Sequence, residues 1–133
     1  MSAASSAPDF SRRSGEAEWL DNAELQPEEL ARVLHDLARF NGAMFGHWSV
    51  LDWLRRALRD APKGEPLTLL DVGCGYGDLL RAIRRWARKR DLPLRLIGID
   101  LSRETVRIAQ GATAADDDIE YHAADVFDFQ PVG

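Results

Sequence analysis

The chain has 133 residues, a formal net charge of −5, 45% hydrophobic residues and 29% charged residues, the balance of one globular domain. It contains no run of about 18 uncharged apolar residues, which excludes a membrane-spanning helix, and its first fifteen residues lack the apolar core of a secretory signal. The acid surplus argues against a general nucleic-acid binder, because neutralising phosphates needs excess cations.

Residues 1–15 are rich in Ser and Ala, with Pro8 and Gly15, and have almost nothing to bury. They predict a disordered tail, although Arg12 and Arg13 could meet a phosphate or a partner. Residues 16–64 predict a helical cap. Pro27 suits a first helical turn, and Glu28 and Glu29 suit the positive end of its dipole. Leu30, Val33, Leu34, Leu37 and Phe40 then recur at 3- and 4-residue spacing, one apolar stripe. Asn41 and Gly42 are expected to break the run. A second helix is expected over roughly residues 47–60, carrying Val50, Leu51, Trp53, Leu54 and Leu58, until Pro62 and Gly64 stop it. The two helices read as a lid on whatever follows. Asn41, Phe45, His47 and Trp48 cluster at their junction, where His47 is either a general base or a structural histidine.

Residues 65–133 change period. Residues 67–72 are a short apolar run between Pro66 and Gly73, which predicts a buried strand. Residues 78–90 predict a helix with Leu79, Leu80, Ile83, Trp86 and Ala87 on one face. Its basic run (Arg81, Arg84, Arg85, Arg88, Lys89 and Arg90) suits the negative end of the helix dipole, with RNA contact as the alternative. Residues 94–99 predict a second strand, and Ser102 a cap on a third helix that runs to about Gln110. An acidic turn over residues 116–118 precedes a third strand over residues 119–123. Strands alternating with helices predict an α/β fold with a parallel, Rossmann-like sheet. The single cysteine, Cys74, permits no intrachain disulfide and suits a reducing, cytoplasmic setting. No metal site is expected.

The most informative segment is Asp71-Val72-Gly73-Cys74-Gly75-Tyr76-Gly77-Asp78. It joins the first strand to its helix, where open α/β sheets bind ligands. Alternate glycines let the chain turn sharply and let a ligand lie against the backbone. A dinucleotide fingerprint would place its third glycine where Asp78 stands, and a carboxylate there would repel a pyrophosphate. No Gly-Lys-Ser/Thr follows, so a P-loop is excluded. The pattern suits a cationic ligand without phosphate.

The segment resembles the first motif of class I S-adenosylmethionine-dependent methyltransferases, an acid followed by G-x-G-x-G. Two further segments are similar to that family in order: residues 97–102, with Asp100 at the strand end, and residues 123–126, with Asp125. The resemblance covers about residues 67–129. It implies S-adenosyl-L-methionine as cofactor and methyl transfer as activity, with a small-molecule acceptor. It further implies that Asp71 accepts from the ammonium end of the cofactor, while Gly73, Cys74 and Gly75 lie along it and the glycines make room for it; Cys74 read by itself is a small packing residue. Asp100 would take both ribose hydroxyls and Leu101 would pack on the adenine. Asp125 would accept from the adenine amino group, and the Val126 amide would face a ring nitrogen. Plainer roles stand beside these: Asp71 orienting the loop, Asp100 capping the next helix, Asp125 serving as a turn acid. No catalytic side chain is assigned, because the sulfonium is already electrophilic and alignment does most of the work.

Only eight residues follow Asp125, whereas the resembled sheet has seven strands and three are expected here. The chain is therefore expected to be the N-terminal portion of a longer methyltransferase, or to need a partner or a second copy over its open sheet edge. Two other readings remain, a nucleotide-dependent oxidoreductase and a non-catalytic half-domain that binds a partner.

Overall fold

A computed structural model describes residues 26–43, 46–60, 64 and 66–131. The tail expected over residues 1–15, and Phe45 at the cap junction, lie outside the described residues. In chain order the elements are α1 (Pro27–Ala43), α2 (Gly46–Ala57), β1 (Leu67–Val72), α3 (Asp78–Arg88), β2 (Leu94–Asp100), α4 (Arg103–Gly111), a 3-10 turn (Ala115–Asp117) and β3 (Ile119–Ala123). Among the described residues no helix is long and apolar enough to cross a membrane.

Two local expectations need correction. Asn41 and Gly42 do not break the first helix, which continues to Ala43. A glycine in a last helical turn costs about 1 kcal/mol, too little to stop a helix already carrying four turns. The second helix ends at Ala57, with a turn over residues 58–60.

The sheet is parallel, in the order β1-β2-β3. Leu67 to Val72 stand beside Leu94 to Ile99, and Leu96 to Asp100 beside Ile119 to Ala123. β2 is therefore central, and Leu94, Leu96, Ile97 and Ile99 on it are all buried. An apolar run is buried on both faces only where the strand has neighbours and both faces are covered. β1 lacks that setting: Leu70 is 37% exposed and Val72 54% exposed, so the buried strand expected over residues 67–72 alternates instead. Its composition resembles that of β2, but its place in the sheet differs.

The core lies between the sheet and α3. Leu80 and Ile83 of α3 cluster with Leu94 and Leu96 of β2 and with Val106 and Ala109 of α4, whereas Ile97 and Ile99 are buried on the other face of β2; each large buried side chain contributes about 1.5–3 kcal/mol by leaving water. Leu54 of α2 joins this core, with Val50, Leu51 and Leu58 packed around it. α2 is thus fastened to the sheet domain through its apolar stripe.

Arg84 of α3 is buried and serves as a staple. Its Nη1 donates to the Leu94 carbonyl at 2.8 Å and its Nη2 to the Asp118 carbonyl at 2.7 Å, joining the starts of β2 and β3. Arg88 bonds Asp117 at 2.9 Å and the Asp116 carbonyl. Part of the basic run is thus committed to the fold.

Gly98 in the middle of β2 is set by close packing. A Cβ there would lie 2.8 Å from Leu80 Cδ1 and 2.9 Å from both Cys74 Sγ and Tyr121 Cδ1. Three buried neighbours would have to move together. Gly98→Ala is expected to lower unfolding free energy by about 1–3 kcal/mol, read as a shifted urea midpoint. An unshifted midpoint would mean that the site relaxes freely.

Candidate ligand site at the carboxyl end of the sheet

The strand register fixes the site. Val72 pairs with Ile99, and Asp100 with Ala123, so all three strands release their chains at one end of the sheet. The glycine-rich loop is pinned there: the Gly73 and Cys74 amides both donate to the Ile99 carbonyl, at 2.8 and 3.0 Å. Gly73, Gly75 and Gly77 have φ of 75°, 51° and 73°, a left-handed path costly for other residues. A Cβ on Gly73 or Gly75 would meet nothing within 4 Å, so the loop faces open space. At Gly77 the constraint is opposite, because a Cβ would lie 2.3 Å from the Tyr121 hydroxyl.

Asp100 organises this end. One carboxylate oxygen accepts from the Gly75 amide at 3.1 Å and the other from the Ser102 amide at 3.0 Å. Ser102 then caps α4, its hydroxyl accepting from the Thr105 amide at 3.1 Å. Asp125 opens a turn, accepting from the Phe127 amide at 3.0 Å. Asp125 thus has the plainer role of a turn acid, whereas the next helix is capped by Ser102 and not by Asp100, which anchors the Gly75 and Ser102 amides instead. Each carboxylate keeps unused lone pairs that can accept from a ligand.

A cavity of about 880 Å³ opens over this end of the sheet, a size that takes a drug-sized ligand. Its floor includes Gly73, Gly75, Asp100, Leu101, Asp125 and Val126, six of the eight residues singled out from sequence. Leu30 and Leu34 of α1 form part of its wall, so the first cap helix does stand over the site. Phe127, 93% exposed at the rim, was not foreseen; its only signal was its place two residues beyond Asp125. Among the described residues the ionisable groups lining this cavity are the two aspartates, with no cation in the lining.

Asp71 and Cys74 are not part of that lining. Cys74 is buried in the core, and burial pushes its thiol up to about 12, helped by the Asp100 and Asp71 charges. It is an inert packing residue. Asp71 lies beneath the loop without a hydrogen-bond partner among the described residues. Burial raises its carboxyl to about 6, and the charges of Asp78 and Asp100 raise it further within that shift. Three carboxylates thus surround the glycine-rich loop.

On the far side of the loop, His47 Nε2 lies 2.7 Å from Asp78 Oδ2, each side chain 22% exposed. Both residues are visible in the sequence, but a pairing across 31 positions has no local signal. Tyr76 does not line the cavity. It packs under the Arg81 guanidinium, 4.6 Å from the ring centre, and edge-on to His35 at 6.1 Å. His35 and His122 are exposed, each near an acid. Among the described residues no group of three His, Cys, Asp or Glu side chains is placed to hold a metal ion.

Comparison with known proteins agrees with this geometry. A family model described as a methyltransferase domain matches residues 69–132. Ajmaline N-methyltransferase from Rauvolfia serpentina is 43% identical over 56 residues, 42% of this chain and 18% of that enzyme. The plantazolicin methyltransferase BpumL in complex with SAH has a similar fold, with a TM-score of 0.55 at 20% identity over 78% of this chain and 41% of that one. The same enzyme with SAH and a monoazolic desmethylPZN analog gives a TM-score of 0.55 at 21% identity, over 75% and 36%. The chain thus spans less than half the length of these relatives. Residues 69–132, which carry the glycine-rich loop and the acids at the three strand ends, are thus similar in sequence to methyltransferase domains, and the fold is similar to that of a methyltransferase solved with SAH.

Proposed function

We propose that this chain binds S-adenosyl-L-methionine at the carboxyl end of its sheet, and that the protein transfers the methyl group to a small-molecule acceptor. The observation that carries this reading is the cavity whose ionisable lining among the described residues is acidic, over a glycine loop that faces open space. Carboxylates accept from hydroxyls and amines and attract a cation, whereas they repel a pyrophosphate. That is why the nucleotide-dependent oxidoreductase is the weaker reading. The chain's acidic charge favours a small acceptor over a nucleic acid, and relatives named for ajmaline and plantazolicin fit that choice. We also place the protein in the cytoplasm, on the strength of its single, free and buried Cys74.

In this reading Asp100 takes the ribose hydroxyls with the lone pairs left free by Gly75 and Ser102. Asp125 accepts from the adenine amino group, Leu101 and Val126 cover the ring, and the Val126 amide faces a ring nitrogen. Gly73 and Gly75 admit the rest of the cofactor, and Asp71 attracts its ammonium end. Cys74 contributes packing behind the loop. When bound, S-adenosylmethionine supplies a methyl group on a positively charged sulfur. The side chains hold and orient the cofactor, and the α1 wall excludes water from it.

Calorimetric titration with S-adenosylhomocysteine tests this. Micromolar binding is expected, and Asp100→Ala should weaken it about ten- to a hundredfold, the loss of a charge-assisted acceptor. A folded chain that ignores S-adenosylhomocysteine and binds NAD would return the oxidoreductase; one that binds neither but dimerises would return the partner-binding half-domain.

Asp71 gives the pH dependence. Its carboxyl, raised to about 6, is mostly ionised at pH 7 and mostly protonated at pH 5, and the ligand's ammonium favours the ionised form. Affinity should therefore fall about tenfold from pH 7 to pH 5, and Asp71→Asn should flatten that slope. Stability without ligand runs the other way. The folded value lies above the 3.8 of an unburied aspartate, so the unfolded chain releases its proton first. Stability is then lost as pH rises from about 4 through 6. Asp71→Asn is expected to stabilise the chain at pH 7.5 by about 1–2 kcal/mol, a figure reduced for partial solvation, with little effect at pH 4. Equal urea midpoints for the two proteins at pH 7.5 would refute the burial of this charge.

A further inference from the structure

The bond between His47 and Asp78 is left without a role by the cofactor contacts above. His47 stands in the first turn of α2, a helix anchored in the core through Leu54. Asp78 is the first residue of α3, directly after Gly77 of the loop. Their side chains meet at 2.7 Å and are both largely shielded from water. An ionised carboxylate only accepts, so the bonding Nε2 of His47 carries the proton. Neither residue belongs to the cavity floor where Asp100 and Asp125 would hold the adenosine half. Asp78 lies instead on the side of Asp71, whose carboxyl feels its charge. Beyond Gly73, that is the side left for the amino-acid end of the cofactor.

We propose that His47 is a positioning residue that acts through Asp78: the bond holds the cap helix α2 against the glycine-rich loop and fixes the loop where it receives the amino-acid end of S-adenosylmethionine. This rests on the cofactor reading above and extends it to a residue of the cap. Without the His47 donor, Asp78 becomes a half-buried carboxylate with no partner, beside two others. It would turn toward water and release the loop.

The test uses two ligands that differ only at the end in question, S-adenosylhomocysteine and 5′-methylthioadenosine, which lacks the amino acid. Each is titrated against the chain and against His47→Ala, His47→Gln, Asp78→Ala and the double alanine variant, with far-UV circular dichroism to confirm folding. His47→Ala should weaken S-adenosylhomocysteine about tenfold or more and leave methylthioadenosine within about twofold. His47→Gln, whose amide nitrogen reaches where Nε2 stands, should restore most of the loss. Asp78→Ala should match His47→Ala, and combining them should add little. If Ala at position 47 unfolds the chain, Asp78→Ala carries the same comparison. Equal losses for both ligands would mean general loosening of the fold and overturn the proposal. So would unchanged affinity for S-adenosylhomocysteine in a folded His47→Ala chain. An unsubstituted chain that binds neither ligand would overturn the cofactor reading itself, and the role of His47 with it.

Discussion

The architecture of the site depends on one carboxylate. Asp100 ends the central strand and accepts from amides on two different loops, Gly75 on one side and Ser102 on the other. Charge-assisted bonds of this kind are about twice as strong as neutral ones, and the strand beneath them is the most buried in the sheet. The glycine loop and the start of α4 therefore share one rigid reference point. Because β1 and β3 are held in parallel register on either side of β2, that point also fixes where Val72 and Ala123 release their chains. A ligand contacting Asp100 meets a group whose geometry is already set, so little ordering remains for binding to supply.

The carboxylates around the glycine loop have few cations bonded to them. Asp71, Asp78 and Asp100 crowd the glycine loop, and Asp71 is raised to about 6 by burial and by the other two. Arg84 and Arg88 of α3 bond the chain around Asp116 to Asp118, and Arg81 reaches the loop only at the Tyr76 carbonyl, 2.7 Å away, and the Tyr76 ring. A fold selected only for stability would place one of those cations beside Asp71. Leaving it unpaired keeps a negative potential at the open end of the sheet, a cost that a cationic ligand relieves.

What could be read from the sequence was whatever depends on local period and spacing. The bounds of β1 and β3, the Ser102 cap and the acids at three strand ends follow from residues within a few positions of one another. The exposure of β1 was not legible, since Leu69-Leu70 and Leu96-Ile97 look alike until the sheet order separates an edge from a centre. The helix runs through Asn41 and Gly42 to Ala43, because residue type alone does not end a helix of this length. Arg84 looked like one cation in a basic run, yet it is buried against two carbonyls. Only the packing of α3 on the sheet distinguishes it from Arg85. The partners of Asp100 were half legible: its neighbour Ser102 is local, but Gly75 lies 25 positions away.

The two cap helices contribute in different ways, and the difference follows from how each is held. α2 sends Leu54 into the core and His47 to the loop, so its place is fixed by burial and by a hydrogen bond. α1 sends Leu30 and Leu34 to the cavity wall, while Leu37 is 45% exposed and Phe40 62% exposed. Its apolar stripe is only partly used by the free chain. A ligand in the cavity would give the inner part of that stripe something to cover, together with the exposed Leu101, Val126 and Phe127 beyond the strand ends. The polar contribution falls on the strand ends, which are rigid without ligand. The cavity thus joins a floor held by the Asp100 hydrogen bonds to an apolar wall from α1, while α2 is fixed separately by Leu54 and His47.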